Sequence, residues 1–131
     1  MNILNEARYP GEALAWELHP EFSRVTRTCS HAEVLQPGTL VALEGSDLVP
    51  WDPDAVAPST AGTVIGFLYS SYSPKADGEG GYVAKRVAVV EAFAIAVGDA
   101  LIFPEGADAA ATAAIRAQGI AALAALNIKV R

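Results

Sequence analysis

The chain has 131 residues, enough for one domain with a core of its own, and with 52% hydrophobic against 18% charged residues it is not a disordered chain. Its net charge of −6 argues against direct nucleic-acid binding, which needs a basic face to displace counterions from phosphates; Lys85 and Arg86 are adjacent but no wider basic patch surrounds them. One cysteine, Cys29, excludes an intrachain disulfide and fits synthesis in a reducing cytoplasm.

The opening stretch has no settled period. "GEALAWELHPEFSRVT", residues 11–26, is rich in apolar groups (Leu14, Trp16, Leu18, Phe22, Val25), yet Pro10 and Pro20 interrupt any regular element. It reads either as core or as an arm that adds itself along a partner's exposed strand. The first clear strand is "RVTRTC", 24–29, which alternates polar and apolar with β-branched content. Pro37-Gly38 predicts a turn into a strand over Thr39–Leu43. "EGSD" turns again into the short extended piece "LVPW", where Pro50 lacks a donor and predicts an edge or an early end. Residues 52–60 form a proline-marked loop, and Thr63–Tyr69 a strand apolar on both faces. Asp77-Gly78 and Gly80-Gly81 predict a tight reversal within "YSPKADGEGGY". Residues 83–97 are the most apolar β-type run, with Val83, Val87, Val89 and Val90, stopped by Gly98-Asp99. "ALIFPEG" predicts one more short strand, closed by Pro104.

The remainder changes character. An Ala-rich segment predicts a helix over about 106–126, with Asp108 at its N-terminus and Ile115, Leu123 and Leu126 facing the core. Gly119 weakens its centre by roughly 1 kcal/mol relative to Ala, so a kink or two helical pieces would fit. "NIKVR" alternates and predicts a terminal strand. The sum is a mainly β (α+β) domain with one C-terminal helical segment. The N-terminus lacks the basic and apolar regions of a secretory signal. Residues 87–103 and 107–126 carry internal charges, so neither is expected to span a membrane.

No set of residues forms a convincing catalytic or metal constellation. Asp52 and Asp54 read as an Asx-Pro loop, since a cation site needs several converging oxygens. His19, Cys29 and His31 lack the paired spacing of a zinc site. Ser70, Ser71 and Ser73 before Lys75 match no strained nucleophile turn, and "GEGG" reads as a hairpin tip rather than a phosphate loop. The expectation is a protein without enzymatic activity, cofactor or metal.

The order of the pieces carries a resemblance. "GEALAWELHPEFSRVT", "LQPGTLVAL", "LVPWDPDA" before "AGTVIGFLYSS", "KRVAVVEAFAIAVGDALIFPEG" and the Ala-rich helix ending "AALNIKVR" together resemble the lambda-type head decoration protein family of tailed bacteriophages and prophages, over nearly the whole chain. The resemblance implies a small β-clip-like capsid protein, made in the host cytoplasm, with no nucleic acid or membrane as direct partner. It further implies a homotrimer bound to the major capsid protein outside the expanded head, at three-fold and quasi-three-fold positions. On this reading residues 1–23 are an extended capsid-binding arm and 24–131 a single β-rich domain. The arm and its junction would place Gly11, Glu12, Leu14, Trp16, Glu17, Phe22, Ser23 and Arg24 at the capsid. Trp16 departs from the family pattern, standing where a small polar residue is expected. The alternative is that Leu14, Trp16 and Phe22 cover the domain's own sheet. Two rivals remain: an unrelated oligomeric β-domain that binds a small ligand or serves an enzyme as accessory subunit, and a hydrolase of β-clip architecture. A pocket with convergent polar groups would favour either rival.

Overall fold

The computed structural model of the chain describes residues 11–19 and 23–131. It holds the mainly β class with one helix near the C-terminus. In chain order the elements are β1 (Leu14–Glu17), β2 (Arg24–Cys29), β3 (Leu40–Glu44), β4 (Asp47–Pro50), β5 (Gly66–Leu68), β6 (Lys85–Val90), β7 (Ala94–Ala96), α1 (Ala109–Ala125) and β8 (Ile128–Val130). Five strands close a barrel in the order β2-β4-β3-β5-β6, and β1-β7-β8 form a second sheet.

The barrel's longest seam is the antiparallel ladder of β2 and β6, from Arg24 opposite Val90 to Cys29 opposite Lys85. Its shortest is a single parallel pairing of β2 with β4, Thr28 with Asp47. Asp47 reinforces that point, its carboxylate accepting hydrogen bonds from the Ser30 backbone N–H and hydroxyl, both at 3.0 Å. Closure removes the open strand edges that an isolated sheet would present.

Apolar residues on both faces of the central strands have a direct structural cause. Side chains alternate across a strand. Val41, Leu68 and Val89 therefore point into one cluster with Cys29, Leu35, Leu48, Tyr72 and Val87. Their chain neighbours Leu40, Phe67 and Val90 point the other way, into a second cluster with Ala94, Ala96, Leu123 and Ile128. The barrel wall thus has a core on each side, and the second sheet and α1 cover its outer one.

Several elements differ from the sequence expectation. The strand foreseen over Thr63–Tyr69 is only Gly66–Leu68. The run over 83–97 divides into β6 and β7, because the chain turns at Glu91–Phe93 to pass from barrel to second sheet, with Phe93 at φ 49°. "ALIFPEG" makes a single bridge, Ile102 with Thr39, rather than a strand. The sequence gives no signal of β1, which precedes the strand at Arg24. Pro50 ends β4 as its missing donor requires.

Helix α1 is continuous. The Asp108 carboxylate caps it by accepting from the Ala111 N–H at 2.7 Å. Gly119 does not break it but lets it sit close: a methyl group there would lie 2.8 Å from the Phe103 ring and 3.0 Å from Leu40. Gly119→Ala should therefore destabilise, although helix propensity alone favours Ala by about 1 kcal/mol. Phe67→Ala, which empties a fully buried site, should cost about 3–5 kcal/mol. Chemical denaturation of both variants checks this; a gain in stability for Gly119→Ala would show that α1 has room to spare.

Candidate functional site

The residues singled out around the N-terminus converge where the chain crosses between sheet and barrel. At Gly11, φ is 76° and the N–H donates to the Tyr69 carbonyl at 2.8 Å. A side chain there would meet the Tyr69 ring at 2.7 Å, so this approach needs glycine. Glu12 is exposed in the following turn, and Ala13 is buried. Leu14 packs against the outer core cluster. Residues 14–17 are thus a strand of the domain's own sheet, paired with β7, as the alternative held for Leu14. Trp16 and Leu18 differ, leaving 51% and 57% of their surface exposed. Phe22 lies outside the described residues.

Glu17 and Arg24 form a bidentate ion pair, Nε to Oε2 at 2.9 Å and Nη2 to Oε1 at 2.5 Å. The same guanidinium lies over the Tyr69 ring, 3.9 Å from its centroid. Hydrogen bonding to Glu17 raises the guanidinium's affinity for its proton, against the opposing effect of burial. A second bidentate pair joins Arg27, on the same strand as Arg24, to Glu91 just beyond β6, at 2.8 and 2.7 Å. Both pairs fix the planes of their side chains, which a lysine would not do.

Ser23 is the buried centre of this arrangement. Its N–H donates to the His19 carbonyl at 2.8 Å, and its hydroxyl donates to the Phe93 carbonyl at 3.2 Å. Its own carbonyl accepts from the Glu91 N–H at 2.8 Å. The Phe93 carbonyl also accepts from the Leu18 N–H at 3.0 Å. Phe93, held in the left-handed region, leaves 46% of its surface exposed. This backbone conformation is uncommon outside glycine and persists where surrounding bonds enforce it. The result is an apolar ridge of Trp16, Leu18 and Phe93. The sequence reading missed Phe93; the available signal was an aromatic residue directly before the break in the 83–97 run.

Other candidate chemistry is accounted for locally. Asp52 Oδ1 accepts from the Asp54 N–H at 3.0 Å, which makes the Asx turn expected of that loop. Asp77 Oδ1 binds the N–H groups of Glu79 and Gly81, closing the glycine-rich hairpin tip. The Ser70 hydroxyl accepts from the Ala88 N–H at 3.0 Å, and Lys85 Nζ donates to the Ser73 carbonyl at 2.7 Å. Cys29 is buried, its thiol donating to the Leu48 carbonyl at 3.4 Å, and burial pushes its pKa up. No group of three His, Cys, Asp or Glu among the described residues could hold a metal ion. An open groove of about 380 Å³ is lined by Trp51 together with the acidic residues Glu44, Asp52, Asp54 and Glu105. Among the described residues no helix is long and apolar enough to cross a membrane.

A barrel with an added sheet and an exposed aromatic ridge defines a small β-rich module with a surface suited to docking on another protein. The chain belongs to the family described as Bacteriophage lambda head decoration protein D, whose family model matches residues 3–128. No curated protein matches the chain. Membership makes it a structural protein of the phage head, bound to the capsid.

Ser23→Ala tests the buried junction. It leaves the Phe93 carbonyl with one donor instead of two, and should cost about 0.5–1.5 kcal/mol. Denaturant unfolding checks this, and an unchanged midpoint would remove Ser23 from its central place.

Proposed function

We propose that the protein is a homotrimer that binds the outside of the expanded head at three-fold and quasi-three-fold positions. There it holds neighbouring major capsid subunits together against the pressure of packaged DNA. Residues 1–23, with Arg24, supply its N-terminal contact. Within the described part, Trp16 and Leu18 are the side chains presented to the shell, with Phe93 beside them, while Ala13 and Leu14 anchor the strand to the domain.

The observation that carries this reading is the exposed ridge of Trp16, Leu18 and Phe93 on a strand and turn that are otherwise firmly bonded. Aromatic groups held in a fixed position lose little entropy on binding and are common centres of binding energy. Family membership supports the choice of the capsid as partner. The mechanical effect follows from linkage: binding free energy present only in the assembled, expanded shell raises the barrier to its rupture. Three copies of a weak contact on one trimer act together through effective concentration. The net charge of −6 suits a position outside the shell, away from DNA.

Trp16→Ala should leave the free protein's stability within about 0.5 kcal/mol, because the side chain is half exposed, yet weaken binding to expanded heads lacking decoration by at least about tenfold. Pelleting with heads measures the binding, and heating the decorated heads measures their protection. Equal occupancy by the variant would move the capsid contact elsewhere on the domain. Sedimentation equilibrium of the free protein should give the trimer mass; a monomer at high micromolar concentration would leave trimers to form only on the capsid.

A further inference from the structure

Strand β8 is an edge strand of the second sheet, and among the described residues no strand pairs with its outer side. Its hydrogen bonds to β7 come from alternate residues: the Asn127 carbonyl accepts from the Ala94 N–H, the Arg131 N–H donates to the Ala96 carbonyl, and the Arg131 carbonyl accepts from the Gly98 N–H. The parallel register, Ala94 with Ile128 and Ala96 with Val130, turns the backbone groups of Ile128 and Val130 outward. Among the described residues no hydrogen bond ends on these outward groups.

Beside this edge lies a groove of about 380 Å³ between the C-terminal half of α1 and β8, lined by Ile120, Ala124, Asn127, Ile128, Lys129 and Val130. The register aligns Trp16, Ile95 and Lys129 across the three strands, so this edge continues the sheet face that carries Trp16. Lys129 and Arg131 are exposed there, and among the described residues neither forms an ion pair. Two cations on a chain of net charge −6 make this edge locally basic.

We propose that β8 is a second capsid-binding element, which takes an extended segment of a shell subunit as a fourth strand of this sheet. The inference rests on the decoration reading and adds the partner segment's chemistry. Backbone pairing requires an extended segment. The groove, lined mainly by apolar residues, selects apolar side chains, and Lys129 and Arg131 select Asp or Glu. The occupant is therefore an extended segment that carries both apolar and acidic residues. A second copy of β8 is disfavoured, because antiparallel self-pairing about its centre would set Lys129 against Lys129. The Trp16 ridge and the β8 edge then grip the shell from opposite margins of one sheet.

The test uses the full-length protein and expanded heads, lacking decoration, of the phage that encodes it. Val130→Pro removes an outward N–H that forms no hydrogen bond among the described residues. It should bind heads at least about tenfold more weakly than wild type. Lys129→Glu should weaken binding in the same direction. Amide hydrogen exchange of the wild type, followed over residues 127–131, gives a readout that does not depend on any variant folding. Ile128 and Val130 amides should exchange quickly in the free protein and at least about tenfold more slowly on heads. Unchanged exchange on heads that wild type occupies overturns strand addition and leaves the decoration reading standing. Slow exchange in the free protein that speeds up on dilution assigns the edge to a second copy, which also overturns it. Failure of wild type to bind the heads overturns both readings.

Discussion

The turn that carries Leu18 and Phe93 at the proposed docking surface is held by one buried serine. The chain crosses from second sheet to barrel just before β2 and returns just after β6. Ser23 bonds these two crossings together through its backbone and its hydroxyl, to His19, Glu91 and Phe93. A buried donor or acceptor left without a partner is costly, so the three bonds specify one geometry for both crossings. That geometry holds Phe93 in an uncommon backbone conformation and fixes Leu18 beside it. The Glu17–Arg24 and Arg27–Glu91 pairs flank the junction on the barrel side.

The two-sided packing of the barrel wall makes this junction possible. With one cluster inside the barrel and another beneath the second sheet, each central strand is buried on both faces. The second sheet therefore needs only its inner face for stability. In the proposed reading its outer face, where Trp16, Ile95 and Lys129 align, and the edge of β8 meet a partner. A rigid scaffold that exposes aromatic groups and an open strand edge suits a protein whose task is to hold other subunits in place. In the proposed function, its contribution to the head is additive binding energy.

The strands of the barrel were legible wherever local chemistry and tertiary environment agreed. "RVTRTC" is a strand with the same limits in sequence and structure, since alternation and β-branching act locally. Asp108 and the Ala-rich run marked α1 for the same reason. Gly119 was legible as a weak point but not as a packing site, because the Phe103 ring that requires it is sixteen residues away in the chain. β1 was hidden because its four residues gain strand form from β7, some eighty residues on, and not from their own pattern. Leu14 and Trp16 look alike in sequence, and only the fold separates the anchoring residue from the exposed one. Ser23 and Arg24 were marked by resemblance, while their physical roles depend on Phe93, Glu91 and Tyr69, which no local pattern connects to them.

The central claim is that the Ser23 junction presents the apolar ridge to the shell. Hydroxyl-radical footprinting of the free protein and of protein bound to expanded heads, read residue by residue by mass spectrometry, tests it most directly. Trp16, Leu18 and Phe93 should be oxidised readily in the free protein and be several-fold protected on heads, while Val56, the most exposed of the large apolar residues among those described, keeps its reactivity. Unchanged oxidation of Trp16 and Phe93 on fully decorated heads would contradict the account.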